Sequence, residues 1–253
     1  MKHNLNGIKF SFFEKGEGEH CLLLHGNRDR KEVFRYMVPY LEGRCHLMLF
    51  DLRGHGDTEK PVEGYTYDQF LYDIDAFVEY KNIKTFNLIG HSLGGVLSIL
   101  YTLKYPEKVK RLILMGTSAY FVPKFKRPAI GTLVTEKLIG ITNRNAAPYF
   151  FLPEFKEVED EILSNWSKVP PHVHESMIRM GHPDLREKIK EISKPTLLIV
   201  GEKDRISTMD DVSFIHEQIN GSQLKVIKDS GHFVFMERSK EVSDTILSFL
   251  KDY

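Results

Sequence analysis

Short apolar runs alternate with amphipathic stretches along most of the chain, and this alternation restricts the possible folds more than any other feature. Strand candidates lie at 8–14, 20–24, 45–50, 85–90, 109–115, 196–200 and 223–227. Helical spacing occurs between or after them, at 31–41, 68–80, 93–105, 209–219 and 237–250. Strands that alternate with helices predict βαβ units and a mostly parallel sheet. Because most of the strands are almost entirely apolar, helices are expected on both faces of that sheet.

The segment 119–183 interrupts this alternation. It contains no convincing strand, and six of the eleven prolines occur in it before Pro183. Short helical patterns lie between the prolines, at 155–166 and 172–180. The sequence therefore predicts a helical insertion at 119–183 within a core formed by 1–118 and 184–253; the resemblance described below implies that this insertion is a cap.

A GxSxG pentapeptide at 90–94 is the strongest chemical signal in the chain. It follows a predicted strand and opens a predicted helix, which is the context that a nucleophile elbow requires. On such a turn the Ser92 hydroxyl would stand above the sheet at a helix N-terminus, where developing negative charge is stabilised. A glycine-rich turn with an N-capping serine is the alternative interpretation of the pentapeptide alone.

A nucleophile elbow predicts that the serine is followed along the chain first by an acid and then by a histidine. Two residues that follow strands fit this order. Asp204 comes just after the strand at 196–200, and His232 comes after the strand at 223–227. Active sites of open α/β sheets lie at the carboxyl ends of the strands, so these side chains should meet Ser92 there. His232 would take the Ser92 proton, and Asp204 would orient the imidazole. Singly, Asp204 could be a turn residue with Glu202 as the acid, and His232 could be an ordinary packed or surface histidine.

An oxyanion formed during acyl transfer needs backbone N–H donors. One donor is expected from Leu93, the residue after the nucleophile, and the other from Asn27, in the turn that follows the strand at 20–24. An ordinary glycine-containing turn at 25–27 is the alternative. Two other histidines are interpreted as structural: His55 lies in a turn, and His91 is expected to point away from the site.

Taken together, these segments resemble the α/β-hydrolase superfamily. The matching motifs are HGN at 25–27, DLRGHGDT at 51–58, GHSLGG at 90–95, GEKD at 201–204 and SGHFVFME at 230–237. The resemblance implies an eight-stranded sheet with strand 2 antiparallel and a helical cap between strands 6 and 7. Related epoxide hydrolases and haloalkane dehalogenases have aspartate at the nucleophile position, so Ser92 argues against both activities.

Within the serine branch, the chain resembles carboxylesterases, lactonases, perhydrolases and C–C-bond hydrolases, and its motifs do not separate them. The expected activity is cleavage of a small, largely apolar carboxylic ester through an acyl-enzyme. Phe121, Tyr149 and Trp166 could line an apolar acyl pocket, although packing of the cap on the core would explain them equally well. A slow-turnover ligand sensor on the same fold is the alternative from another class.

The charge balance and the cysteine content of the chain limit the kinds of binding partner that we expect. Thirty-five basic and thirty-five acidic residues give a formal net charge of zero, so nothing draws the chain generally to nucleic acid or to anionic membranes. Cys21 and Cys45 lie in apolar runs without metal-ligand spacing, and they are interpreted as buried thiols. We expect a cytoplasmic monomer or homodimer with a small-molecule ester as its partner, no metal or organic cofactor, and no stable membrane association.

Overall fold

The computed structural model describes residues 1–121 and 136–252, and their fold is built on one eight-stranded sheet. The strands are β1 (Lys2–Leu5), β2 (Ile8–Lys15), β3 (Glu19–Leu24), β4 (Cys45–Phe50), β5 (Phe86–His91), β6 (Val109–Met115), β7 (Thr196–Gly201) and β8 (Gln223–Ile227). Their order across the sheet is β1-β2-β4-β3-β5-β6-β7-β8. The pairs β1–β2 and β2–β4 are antiparallel and the remaining pairs are parallel, which confirms the predicted sheet.

The first two strands form a hairpin whose turn is Asn6-Gly7. Both turn residues have positive φ, 51° at Asn6 and 78° at Gly7. This backbone matches the primed turns that connect tightly paired antiparallel strands. The Asn6 side chain also donates a hydrogen bond to Asp73 Oδ1 at 3.2 Å, which ties the hairpin to a neighbouring helix. The sequence analysis had placed only one strand, at 8–14, in this region.

The described residues form α-helices and 3-10 helices between and after the strands. The α-helices are α1 (Val38–Leu41), α2 (Tyr67–Tyr80), α3 (Leu93–Lys104), α4 (Glu136–Phe150), α5 (Lys156–Ser167), α6 (Pro171–Met180), α7 (Met209–Gln218), α8 (Val234–Glu237) and α9 (Ser239–Asp252); the 3-10 helices are Lys31–Tyr36, Pro153–Phe155 and Lys188–Glu191. Within these ranges, no helix is both long and apolar enough to cross a membrane. The helix expected at 31–41 is split, because Pro39 has no N–H with which to continue it.

Apolar clusters cover both faces of the sheet. On one face, Leu22 of β3 packs in the same cluster as Phe70 and Ile74 of α2. On the other face, its neighbour Leu23 packs in a cluster with Val242 of α9. Successive residues of a strand point to opposite faces, so one strand serves both clusters. The expected covering of both faces is therefore confirmed, and the carboxyl ends of the strands are left for a site.

In the described part of the segment between β6 and β7 there are three α-helices, α4 to α6. The patterns at 155–166 and 172–180 correspond to α5 and α6, whereas α4 was not recognised in the sequence. Pro148 lies inside the last turns of α4. The part of the predicted cap at 122–135 falls outside the described residues.

Candidate active site

Ser92 occupies a sharp turn between β5 and α3. Its backbone has φ 52° and ψ −115°, a conformation that is costly for a residue with a side chain. The Ser92 N–H donates to the Met115 carbonyl at 3.1 Å, which holds the turn against β6. A Cβ on Gly94 would lie 2.0 Å from the Leu24 carbonyl oxygen, so only glycine allows α3 to approach β3 this closely. The strain at Ser92 is thus maintained by the packing of the turn.

His232 and Asp204 form a buried pair beyond β8 and β7. The His232 Nδ1 lies 2.9 Å from Asp204 Oδ2, and the two residues are 1% and 6% exposed. The other Asp204 oxygen, Oδ1, accepts hydrogen bonds from the N–H groups of Ile206 at 2.8 Å and Ser207 at 3.1 Å. Because the carboxylate receives donors on both oxygens, its orientation toward the imidazole is fixed. The opposite ring nitrogen, His232 Nε2, is buried and has no hydrogen-bond partner among the described residues.

The alternative acid, Glu202, lies elsewhere. Its Oε2 accepts a hydrogen bond from the Asp229 N–H at 3.3 Å in an exposed position. Of the two acids in the GEKD motif, the structure therefore brings Asp204 to the histidine.

Gly116, directly after β6, makes room for the Asp204–His232 pair. Its φ is +49°, and a Cβ at this position would lie 3.2 Å from Asp204 Oδ2 and 3.3 Å from His232 Nδ1. The Gly116 carbonyl accepts a hydrogen bond from Ser207 Oγ at 2.9 Å. The sequence analysis missed this residue, although a glycine at the end of a core strand is a signal of close backbone approach.

His91 does not point away from the site as expected. Its Nε2–H donates to the His232 carbonyl oxygen at 3.0 Å, and the two ring centroids are 4.8 Å apart. Burial lowers the pKa of His91 well below its usual value, so the ring is neutral and Nε2 carries its single proton. His91 therefore holds the backbone of His232 in place rather than competing for a proton.

The turn at 25–27 presents backbone N–H groups to the same site. Neither the Asn27 N–H nor the Leu93 N–H has an acceptor among the described residues, and both residues line the cavity at Ser92. Burial lowers the pKa of His25 to about 4, so its neutral ring can donate from Nδ1 to the Gly26 carbonyl at 2.8 Å. The His25 Nε2 accepts from the Leu52 N–H at 3.1 Å. His55 is also buried and lies 3.4 Å from Asn27 Oδ1, in a structural position as predicted.

A cavity of about 100 Å³ lies between Ser92 and the helices that follow β6. Phe121 and Trp166 line it, together with His232 and the apolar side chains Leu93, Val96, Phe150, Met177, Met180, Ile206 and Phe233. The Phe150 ring meets the Trp166 ring edge to face, with centroids 4.9 Å apart. Packed aromatic rings thus form part of the cavity wall.

Tyr149 was also expected in this cavity, and it does not line it. Its side chain is 37% exposed, whereas the next residue, Phe150, is buried and lines the cavity. Neighbouring residues on a helix project about 100° apart, so the inward position falls on only one of the two. The pocket role expected of Tyr149 is therefore taken by Phe150.

Glu237 is a second carboxyl group that interacts with His232. It is 8% exposed, and its Oε2 accepts a hydrogen bond from the Gly231 N–H at 2.5 Å. Burial raises the pKa of Glu237 to about 7; the Gly231 bond and the charges of His232 and Arg238 oppose this shift, and the charge of Asp204 adds to it. The sequence analysis treated Glu237 only as part of a motif, because burial cannot be read from that pattern.

Ionisation of Glu237 is expected to destabilise the native protein as the pH rises, and Glu237→Gln should not show this destabilisation. The folded-state pKa of about 7 lies above the ordinary value of 4.5. Between pH 4.5 and about 7 the folded state binds more protons than the unfolded state. The stabilisation that protonated Glu237 contributes is therefore complete below pH 4.5 and is lost as the pH rises to about 7. The shift corresponds to about 3 kcal/mol of unfolding free energy. Glutamine keeps an acceptor for Gly231 and does not titrate.

The measurement is urea-induced unfolding of native protein and Glu237→Gln across that interval. Subtracting the two unfolding free energies at each pH cancels every other titrating group, and the difference should change by about 3 kcal/mol in favour of the variant as the pH rises. Parallel pH profiles for the two proteins would contradict the raised pKa.

Metal-ligating side chains are not clustered in the described part of the chain. No group of three or more His, Cys, Asp or Glu side chains there is arranged to hold a metal ion. The free thiols of Cys21 and Cys45 are both buried.

Comparison with known proteins agrees with this architecture. The chain is 29% identical to the AB hydrolase superfamily protein YisY of Bacillus subtilis, with 92% of each chain covered. It is 26% identical to 3-oxoadipate enol-lactonase 2 of Acinetobacter baylyi, covering 97% of this chain and 94% of that protein. Among solved structures, the enol-lactonase of Burkholderia xenovorans superposes with a TM-score of 0.88 at 20% identity, covering 99% of this chain and all of that one.

A family model described as the alpha/beta hydrolase fold matches residues 20–136 and 155–239, which is most of the chain. The match spans β3 to β8 and includes Ser92, Asp204 and His232. The chain therefore belongs to the alpha/beta hydrolase fold family.

Proposed function

We propose that this protein is a serine hydrolase that cleaves small, largely apolar carboxylic esters, with Ser92, His232 and Asp204 as its catalytic triad. The observation that carries the proposal is the buried Asp204–His232 pair: His232 lines the same cavity as Ser92, and its Nε2 has no hydrogen-bond partner among the described residues. An imidazole with Nδ1–H fixed by a carboxylate has its lone pair on Nε2, where it can accept the serine proton.

Catalysis then follows from the positions of these groups. The Ser92 hydroxyl attacks the ester carbonyl carbon as its proton passes to His232 Nε2. The carbonyl oxygen becomes an oxyanion, which the unpaired N–H groups of Asn27 and Leu93 stabilise. His232 returns the proton to the leaving alcohol, and an acyl-enzyme remains on Ser92. Water activated by the same imidazole releases the acid.

The walls of the cavity support a small, apolar acyl group. Phe150, Trp166 and Met177 are buried apolar side chains that line it, although the charged residues Arg28 and Asp29 line it as well. The volume of about 100 Å³ favours short acyl chains over long ones. We also propose that 119–183 act as a cap on the core formed by 1–118 and 184–253, since Phe121, Phe150 and Trp166 from that segment lie in the cavity wall.

The test is the reaction of the protein with p-nitrophenyl acetate, butyrate and octanoate. We expect a burst of p-nitrophenol equal to the enzyme concentration, followed by steady turnover, with kcat/KM falling as the acyl chain lengthens. Mass spectrometry of the rapidly quenched protein should locate the acyl group on the peptide that contains Ser92. An acyl group on another residue would refute the assignment of the nucleophile.

A lactone is the second candidate substrate, and the similarity to 3-oxoadipate enol-lactonase 2 over nearly the whole chain favours it. Lactone opening uses the same attack on a carbonyl, but the leaving alcohol stays joined to the acyl group. Comparing kcat/KM for phenyl esters, enol-lactones and vinylogous diketones would separate an esterase from a lactonase or a C–C-bond hydrolase. Adding hydrogen peroxide as the acyl acceptor would reveal a perhydrolase.

A ligand sensor on the same fold would give a different pattern. Its Ser92 would react once with a fluorophosphonate, yet no substrate in the panel would be turned over repeatedly. Steady turnover well above the rate of the uncatalysed reaction would exclude this alternative.

A further inference from the structure

A second cavity lies beside the catalytic one, and we call it the side cavity. It has a volume of about 240 Å³ and is lined by the polar residues Arg28, Asp29, Arg30, Lys60, Asn165 and Lys168, among others. Arg28 and Asp29 line both cavities, so they form the partition between them. The two cavities therefore adjoin one another at these two residues.

Asn165 presents an unused hydrogen-bond donor to the side cavity. The residue is 8% exposed, and its Nδ2 is buried without a hydrogen-bond partner among the described residues. A buried amide N–H left unpaired costs free energy, so such groups usually have a ligand, a water or a functional role. A donor on this wall is suited to an oxygen atom brought in by a ligand.

Basic side chains surround that donor. The Arg28 guanidinium is buried, donates to the neutral amide oxygen of Asn143 at 2.5 Å, and lies 4.1 Å from the centroid of the Trp166 ring. The Lys60 ammonium donates to the Gly56 carbonyl at 2.7 Å. Lys168, at the C-terminus of α5, is exposed and also lines the cavity. These contacts hold Arg28 and Lys60 beside the side cavity.

Two acidic residues, Asp29 and Asp57, also line the side cavity. Burial raises the pKa of Asp29 well above its ordinary range, which favours its neutral form. Asp57 is engaged by Arg30, whose NH2 group lies 2.8 Å from Asp57 Oδ2. Four basic and two acidic residues line the side cavity, so basic groups are in excess there whatever the protonation state of Asp29.

We propose that the side cavity binds a carboxylate or phosphate group carried by the substrate at the end remote from its scissile carbonyl. Asn165 Nδ2 would donate to one anion oxygen, and Arg28, Lys60 and Lys168 would provide the attracting charge. The link to Ser92 rests on the proposed hydrolase function, whereas anion binding itself does not. The backbone brings the two sites together, because Asn27 and Arg28 are consecutive residues in one turn, with φ +66° at Arg28.

Anion binding can be measured without turnover. Glutarate and inorganic phosphate, titrated separately by calorimetry, probe the carboxylate and the phosphate as the preferred group. Asn165→Leu, which replaces the amide by an apolar group of similar size, should weaken binding of the preferred anion about tenfold. Lys168→Glu should weaken it about threefold and reduce its dependence on salt.

Lys188→Glu is the matched control, because Lys188 is another exposed lysine that does not line the side cavity and the charge change is the same. It should leave binding unchanged. Absence of binding for both anions would overturn the proposal, and so would equal weakening by Lys168→Glu and Lys188→Glu, which would indicate a diffuse charge effect. Binding that Asn165→Leu leaves intact would also overturn it.

Kinetics then connects the side cavity to Ser92. Mono-p-nitrophenyl glutarate and p-nitrophenyl valerate have acyl chains of equal carbon number and differ in a terminal carboxylate. Phenyl acetate and 3-acetoxybenzoate place the same difference in the leaving group. The anionic ester should have the higher kcat/KM in at least one pair, and Asn165→Leu should reduce that preference about tenfold.

The two proposals fail separately in this experiment. Equal kcat/KM within both pairs, with hydrolysis intact, overturns the anionic substrate and leaves the hydrolase. Specific binding of glutarate or phosphate without hydrolysis of any ester overturns the hydrolase and retains the anion site.

Discussion

Replacement of Ser92 by alanine is expected to lower kcat for p-nitrophenyl acetate by about 10⁴-fold or more, the largest effect of any change in this chain. The variant removes the only group proposed to form a covalent bond to the substrate carbonyl carbon. The unpaired N–H groups of Asn27 and Leu93 remain, so a small residual rate above that of the uncatalysed reaction should persist. Labelling by a fluorophosphonate should disappear at the same time.

The stability of Ser92→Ala should change little, in contrast to its activity. Ser92 has φ 52°, and alanine tolerates this conformation no better than serine, so the thermal midpoint should stay close to that of the native protein. Ser248→Ala, at an exposed serine on α9, is the control for loss of a hydroxyl and should retain native kcat and labelling. Equal turnover by Ser92→Ala and native protein would remove the basis of the proposed mechanism.

Most of the sheet could be predicted from the sequence because its central strands are buried on both faces. Each central strand is an apolar run, and β6 and β8 were predicted at the residues where the structure has them. The edge strand β1 gives no such signal, since its sequence KHNL is almost entirely exposed. The Asn6-Gly7 pair that follows is a strong hairpin signal, and weighing it would have identified β1.

Helix α4 was harder to recognise for a physical reason. Pro148 lies within it, and an internal proline normally signals the end of a helix because it removes a hydrogen bond. The residue lies close to the C-terminus of the helix, where few bonds remain to be lost. Sequence pattern alone cannot distinguish a proline that ends a helix from one tolerated in its last turns.

In the candidate site as well, residues marked by a local sequence pattern could be predicted, whereas contacts between distant parts of the chain could not. Ser92, Asp204 and His232 follow strands whose positions the sequence predicts, so their meeting at one sheet edge could be expected. The hydrogen bond from His91 to the His232 carbonyl joins residues that are 141 positions apart, and no local pattern contains it. The burial of Glu237 and the room left by Gly116 likewise arise only when distant elements pack together.

Replacement of Asp204 by asparagine is expected to lower kcat by about 10⁴-fold while the fold is preserved. The N–H groups of Ile206 and Ser207 both donate to Oδ1, so the amide of the variant should place its oxygen there. Its NH2 group would then face His232 Nδ1, which lies 2.9 Å from the other carboxylate oxygen in the native protein. A donor at this point forces Nδ1 to accept, and the imidazole proton moves to Nε2.

That exchange of tautomers explains the size of the loss. An imidazole with its proton on Nε2 has no lone pair there to accept the Ser92 proton. General-base catalysis therefore stops, although the non-hydrogen atoms keep their positions. Glu202→Gln is the matched control, because it makes the same chemical change in the same motif at an exposed carboxylate that contacts the Asp229 N–H. It should retain kcat within a few-fold of native. Nitrogen NMR of the His232 ring should show the changed tautomer in Asp204→Asn, and a variant with native kcat would contradict the role assigned to Asp204.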